Sequence, residues 1–221
     1  MSYINKEYWE KFYKNNTSLN DASTFSEYIL NQIIEKQSEL MIVDLGCGTG
    51  KDTFNFAKSG FEVIGVDGSE EVIKMNNSKI NSLDIVEKNI DFYCVDLSES
   101  NKVSDLMSKF NTYSKLKGKK ILFYTRFFLH AIPEDVEDIL LNNIISNVKV
   151  PFTFVSEFRT KEDELLDKIF QDHYRRYVDT DKLLKKLLAY GFSIQTFIKG
   201  RGYSIYKNEN PYLARFVIYK H

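Results

Sequence analysis

Three glycines at every second position, Gly46, Gly48 and Gly50, follow the apolar run Met41-Ile42-Val43 and the acidic Asp44. A second carboxylate, Asp67, stands 23 positions after the first, inside Gly65-Val66-Asp67-Gly68-Ser69. Glycines let a backbone turn sharply and let a ligand approach it with no Cβ in the way. A carboxylate at the end of the following strand accepts both hydroxyls of a ribose as charge-assisted hydrogen bonds. The pattern therefore describes a cradle for a nucleoside-bearing ligand. Its spacing excludes two common ligand classes. The dinucleotide fingerprint G-x-G-x-x-G needs a third glycine where Lys51 stands, and the Gly-Lys-Ser/Thr ending of a P-loop is missing. Further along, Arg126 and His130 follow a fourth apolar run, Glu157 and Arg159 follow a fifth, and His173-Tyr174-Arg175-Arg176-Tyr177 stands beyond them. Histidine is the usual general base near neutral pH, so His130 and His173 are the catalytic candidates. Arginines hold phosphate or carboxylate groups in forked pairs. Arg126, Arg159, Arg175 and Arg176, with Glu157 and Tyr174, are the candidates for binding a second, anionic substrate. The competing reading is a solvated helix face whose arginines pair with Glu162, Asp163 and Glu164.

These residues need elements to carry them. Strand, glycine turn and helix open a βαβ unit. The spacing predicts strands at 40–45, 62–66, 90–95, 120–125, 151–157, 192–199 and 213–220. Helices are expected at 3–14, 23–37, 51–59, 101–116, 134–148 and 181–190, with one starting at Ser69. Gly60 and Gly191 suit helix ends, and Pro133 suits a helix start. The alternation implies a doubly wound α/β sheet whose ligands lie beyond the carboxyl ends of its parallel strands. Residues 160–179 exceed the usual connection length and are expected to be a partly helical insertion on the substrate side. Arg201 and Arg215 are expected at the surface.

Composition bounds the rest. The chain has 221 residues, 43% hydrophobic and 28% charged, with 30 Lys+Arg against 31 Asp+Glu and a net charge of -1. That size suits one domain spanning 1–221 with a large core. The balance gives no general attraction to nucleic acid or to an anionic membrane. Two cysteines, Cys47 and Cys94, read as free thiols in a reducing cytoplasm. No apolar run is long enough to span a bilayer. Three scattered histidines give no metal-ligand spacing.

The motifs VDLGCGTG (43–50) and GVDGS (65–69) closely resemble the first two motifs of class I S-adenosylmethionine-dependent methyltransferases. That resemblance covers about residues 5–220. It implies a Rossmann-like seven-stranded sheet, mostly parallel with an antiparallel last strand and helices on both faces. It further implies S-adenosylmethionine as cofactor and S-adenosylhomocysteine as product. Cofactor contacts would then fall at Asp44, Gly46, Cys47, Gly48, Asp52, Asp67, Gly68, Ser69, Asp96, Leu97 and Thr125. Asp67 would take the ribose, and Asp96 would take the adenine amino group unless it merely caps a helix. The segment Tyr8-Trp9 to Phe12-Tyr13 is similar to one that folds over the cofactor in small-molecule methyltransferases, which makes 1–38 a helical lid with Trp9 and Tyr13 on the cofactor. The exocyclic-amine motif Asp/Asn-Pro-Pro-Tyr/Phe is replaced by Thr125-Arg126-Phe127-Phe128. YTRFFLHAIPED, EFRTKED and HYRRYVD look similar to methyltransferases of bacterial capsule and surface-polysaccharide gene clusters, including the O-methyl phosphoramidate type. That second resemblance implies a small acceptor bearing a phosphate, phosphoramidate or sugar oxygen. A cofactor-binding regulatory subunit, or an enzyme acting on another metabolite or a protein, is the alternative.

Overall fold

The structure, a computed structural model, describes Tyr8, Glu10 and residues 22–32, 37–82, 89–169 and 174–221. The expected cofactor contacts Trp9 and Tyr13 and the candidate base His173 lie outside the described residues.

Seven strands form one sheet: β1 (Leu40–Leu45), β2 (Glu62–Asp67), β3 (Ile90–Cys94), β4 (Lys120–Arg126), β5 (Phe152–Arg159), β6 (Ser193–Gly200) and β7 (Leu213–Lys220). Their order is β3-β2-β1-β4-β5-β7-β6. β1 to β5 run parallel, and β7 lies antiparallel between β5 and β6. The chain leaves β1 in one direction and returns through β4 on its other side. This is the topological switch point where doubly wound sheets place their ligands.

The helices are α1 (Thr24–Leu30), α2 (Lys51–Lys58), α3 (Glu70–Ser82), α4 (Ser100–Lys117), α5 (Glu134–Asn147) and α6 (Thr180–Ala189). Alternation along each strand sends side chains to two faces, and both faces are buried. On one, Met41, Val43 and Phe123 meet Leu106, Phe110, Leu140 and Leu187 of α4, α5 and α6. On the other, Ile42, Tyr124, Val155 and Val217 meet Phe25, Phe54, Phe56 and Val72 of α1, α2 and α3.

Three expectations change. The helix expected at 23–37 ends at Leu30, where Asn31 caps it, and Gln37–Glu39 is a single 3-10 turn. The side chain of Ser23 caps α1 by accepting from the Ser26 N–H at 3.0 Å. In the insertion, the described helix is one 3-10 turn, Lys161–Asp163. Its two ends pair side by side at Thr160 and Val178, which closes the segment into a loop. Arg215 is not at the surface. It lies on the same covered face as Val217 and is buried.

Candidate active site: the carboxyl edge of β1, β2, β4 and β5

The glycine loop is docked by its own backbone. The N–H groups of Gly46 and Cys47 donate to Val66 O at 2.8 and 3.0 Å, and Gly50 N–H donates to Cys47 O at 3.0 Å. Gly46 holds φ +74°, and a Cβ there would lie 2.2 Å from Cδ2 of the buried Phe128. Glycine is thus required at position 46 for backbone angle and for space. Asn76 on α3 supports the loop from below, its Nδ2 donating to Gly48 O at 2.8 Å. The sequence reading missed Asn76, and the one available signal was a polar residue on the buried stripe of α3.

Asp67 ends β2 and is 5% exposed. One oxygen accepts from Gly48 N–H and the other from Ser69 N–H, each at 3.0 Å. A carboxylate has about four lone-pair directions, so these bonds fix its orientation and leave room for two hydroxyl donors. Burial pushes its carboxyl up, opposed by those same N–H groups. Ser69 also accepts from Val72 N–H at 3.4 Å at the start of α3. A pair of hydroxyl donors fits that remaining capacity.

Asp44 ends β1 and is also buried. Thr53 of α2 donates to it at 2.6 Å. Its carboxyl is pushed up to about 8, by burial first and by the charges of Asp52 and Asp67; the Thr53 bond and Arg126 oppose this. The Cys47 thiol is pushed well up by burial and by the charges of Asp67 and Asp44, so it is no thiolate nucleophile. Neither cysteine is in a disulfide.

Other expected cofactor contacts are turned elsewhere. Asp52 accepts Ser23 N–H at 2.9 Å, Ser23 Oγ at 2.8 Å and Tyr124 Oη at 2.8 Å. It ties the segment before α1 to the sheet. Thr125 Oγ1 donates to Ser156 Oγ at 2.7 Å inside the sheet, leaving only its backbone to face the edge. Leu97 is buried in the core. Asp96 accepts Ser98 N–H and Oγ at 3.0 and 2.7 Å in the turn before α4, whose N-cap position is Glu99. Gly68 O faces the Cys94 thiol at 3.9 Å.

The substrate-side candidates converge on the ends of β4 and β5, but most of their charge is engaged. Glu157 is fully buried between Arg126 Nε at 3.2 Å and Arg215 Nε at 2.6 Å, and Ser204 Oγ adds a bond at 2.8 Å. Arg159 pairs with Asp163 at 2.7 Å and with Glu209. Arg176 pairs with Glu137, donates from its side chain to Leu129 O at 3.0 Å, and donates its N–H to His130 O at 2.7 Å. It therefore pins the insertion to the β4–α5 turn. With Lys161, Lys182 and Lys186 it lines a cavity of about 250 Å³ whose cations all have carboxylate partners. Arg159 and Arg176 thus anchor the insertion. Tyr174 is 43% exposed. His130 is buried, and its Nδ1 accepts the Arg159 N–H at 3.1 Å. That bond places the proton of the neutral ring on Nε2. Phe127, with φ +55°, bends the chain between Arg126 and His130. Among the described residues no group of His, Cys, Asp and Glu side chains could hold a metal ion.

A doubly wound sheet with a glycine loop at its switch point, a buried carboxylate ending β2 and an antiparallel seventh strand is the architecture of the class I S-adenosylmethionine-dependent methyltransferases. The chain matches the family described as "Methyltransferase domain" over residues 36–208, and it belongs to that family. It is 30% identical over 139 residues to the candidate methyltransferase YqeM of Bacillus subtilis, covering 59% of this chain and 52% of YqeM. It is 45% identical over 60 residues to the 23S rRNA (uracil(1939)-C(5))-methyltransferase RlmD of Shewanella amazonensis, covering 26% of this chain and 13% of RlmD. The chain thus spans about half of the first relative's length and far less of the second's. A S-adenosylmethionine-dependent methyltransferase from Anabaena variabilis superposes with a TM-score of 0.71 at 19% identity, over 99% of this chain and 94% of that one. Magnesium protoporphyrin IX methyltransferase from Synechocystis, solved with bound S-adenosylhomocysteine, gives 0.62 at 17% identity, over 90% and 80%. Both likenesses are of fold.

Proposed function

We propose that the chain transfers the methyl group of S-adenosylmethionine to an oxygen of a small anionic acceptor. A phosphate or phosphoramidate, or a sugar bearing one, is the acceptor class suggested by the surface-polysaccharide resemblance. The observation that carries the anionic acceptor is the hydrogen bond at His130. Its Nδ1 lone pair is taken by the Arg159 N–H, so the neutral ring is a proton donor at Nε2. A hydroxyl acceptor needs a base, whereas a phosphate oxygen is already anionic and needs only to be positioned. Tyr174, exposed on the insertion, and its neighbour Arg175 are the residues proposed to meet such a group.

When bound, S-adenosylmethionine supplies an electrophilic methyl group on a sulfonium whose departure as a neutral thioether needs no acid. The chain's own residues do the rest. Asp67 takes the ribose hydroxyls, and the glycine loop keeps its backbone bare beneath the ligand. The insertion, pinned by Arg176 to Leu129 O and His130 O beyond β4, would limit water there. Holding nucleophile and methyl in line is the main source of acceleration in such a step.

The test is S-adenosylhomocysteine release with a sugar phosphate and with its parent sugar, using the wild type and His130→Gln. The expected outcome is turnover of the phosphate alone, with the variant within about tenfold of wild type. Turnover of the parent sugar, or a loss of about 10²-fold or more in kcat for His130→Gln, overturns the anionic reading.

A further inference from the structure

The hairpin that joins β6 to β7 leaves the sheet at its carboxyl edge, since Gly200 pairs with Leu213 and Leu213 with Arg159 at the end of β5. Its two sides differ. The inner side carries Tyr203 and Ser204, which bond Arg215, Thr24 and Glu157 over the strand ends. The outer end turns tightly. Tyr206 and Glu209 exchange both backbone bonds, at 3.0 and 2.9 Å, around Lys207-Asn208. Lys207 holds φ +52° there, an angle that asparagine or glycine adopts with less strain. A residue kept against its backbone preference points to a role for its side chain. The turn exposes Ile205 at 63%, Tyr206 at 47% and Lys207, whose Nζ lies 5.3 Å from the centre of the Tyr206 ring. Arg201, also exposed, donates from Nε to Asn210 O at 3.0 Å on the same hairpin. No acidic residue occurs between Asp181 and Glu209, and Glu209 is buried against Arg159. Glu162 takes Lys199 at the hairpin's base, but among the described residues neither Arg201 nor Lys207 has a carboxylate partner. The hairpin end is thus apolar at its tip with uncompensated positive charge around it, a local excess that the charge balance of the whole chain hides.

We infer that this hairpin end is a docking surface for an anionic lipid bilayer. Ile205 and Tyr206 enter the boundary between headgroups and acyl chains, and Arg201 and Lys207 meet lipid phosphates. Apolar tips rimmed by cations are the pattern of segments that lie in that boundary. A tyrosine there keeps its ring in the apolar layer and its hydroxyl among the headgroups. Two other occupants fit less well. A second copy docked tip to tip would bring like charges together, which is costly. Nucleic acid would use the cations, but Ile205 offers a base neither a stacking surface nor a hydrogen bond. Docked on a bilayer, the carboxyl edge of the sheet lies against the headgroups, and an acceptor displayed there reaches the β4 and β5 ends without leaving the membrane. That last consequence rests on the anionic-acceptor reading; the docking itself does not.

The test is co-sedimentation of the whole chain with phosphatidylcholine vesicles, with and without phosphatidylglycerol. Binding is expected to the phosphatidylglycerol vesicles, and it should weaken as salt rises. Lys207→Gln should lower that affinity about fivefold, the effect of one cation near an anionic surface. Ile205→Ser combined with Tyr206→Ser should lower it roughly tenfold or more, because both remove apolar area that the lipid would cover. All three side chains are exposed, so these variants should melt with the wild type. Leu116→Ser removes an 80% exposed aliphatic side chain from α4 and should bind vesicles as the wild type does. S-adenosylhomocysteine affinity, read by calorimetry, should be the same in every variant, so a failure of docking is separate from a failure of the donor reading. Pelleting with neither vesicle, or an equal loss in Leu116→Ser, overturns the inference. So does binding of a single-stranded RNA oligomer, or a dimer in sedimentation velocity, that the hairpin variants abolish while vesicle binding stays unchanged.

Discussion

Gly46→Ala is the sharpest probe of the loop on which the donor rests. Gly46 sits at φ +74°, and an added Cβ would stand 2.2 Å from Phe128 Cδ2. Two costs combine. An L-residue in the left-handed region costs about 1–2 kcal/mol. Phe128 is buried in the core behind the loop, so making room for the methyl overpacks that core, at about 1–3 kcal/mol. The expected loss is about 2–5 kcal/mol, or roughly 4–20 °C in Tm at this chain length. Gly118 is the control. It has φ +64° and nothing within 4 Å of its notional Cβ, so Gly118→Ala should carry the backbone cost alone, about 1–2 kcal/mol. The excess at Gly46 belongs to Phe128. In a double-mutant cycle with Phe128→Ala, about 1–3 kcal/mol of the Gly46→Ala loss should be recovered as coupling. Urea denaturation followed by circular dichroism measures the wild type and all four variants. A loss at Gly46 no greater than at Gly118, or a cycle with no coupling, would refute the close approach.

Three further outcomes follow from the same geometry. Because both oxygens of Asp67 accept N–H donors, Asp67→Asn must turn an amide N–H₂ toward one of them, and S-adenosylhomocysteine affinity should fall by roughly 10- to 100-fold by calorimetry. Glu157→Gln leaves one buried and one partly covered guanidinium around a neutral amide, so stability should fall by about 3–5 kcal/mol, read as the urea midpoint. Asp44, facing Thr53, Asp52, Asp67 and Arg126, titrates at about 8 in the folded protein against an ordinary value of 3.8. The folded state therefore keeps a proton that the unfolded state has lost, and this contribution is full below about 4 and gone by pH 8. Asp44→Asn should flatten the fall of stability with rising pH by up to about 1.4 kcal/mol per unit across that window; parallel curves for the two proteins would count against it.

The cradle was legible because its constraints are local. Glycines at 46, 48 and 50 and carboxylates at 44 and 67 serve backbone angles and hydrogen bonds set within one βαβ unit. The strands were legible because their apolar runs are nearly continuous, as strands buried on both faces must be. The ion pairs of Glu157 were not, because they depend on which strands become neighbours. Glu157 and Arg215 are 58 positions apart and meet only because β7 inserts beside β5. One clue was present. Arg215 alternates with Ala214 and Phe216 and shares its face with Val217, so no register of a fully covered strand could leave it in water. The arginines of the insertion read as ligands because a sequence shows their charge and hides their partners. Glu137, which takes Arg176, sits on a different helix, and Glu209, which takes Arg159, on a different loop.

The contacts that roof the site join distant parts of the chain. Thr24 donates to Tyr203 O across 179 positions, and Arg215 reaches Thr24 across 191. Closing loops of that length is entropically slow. On a ribosome, α1 emerges long before β7 exists, so the bonds over the β4 and β5 ends form only once almost the whole domain has been made. Contacts made last, and few in number, are also among the first to break. Amide exchange should therefore run faster at Thr24 and Tyr203 than in β1 or β4, and the same loosening would give a bulky acceptor its way in without unfolding the sheet beneath.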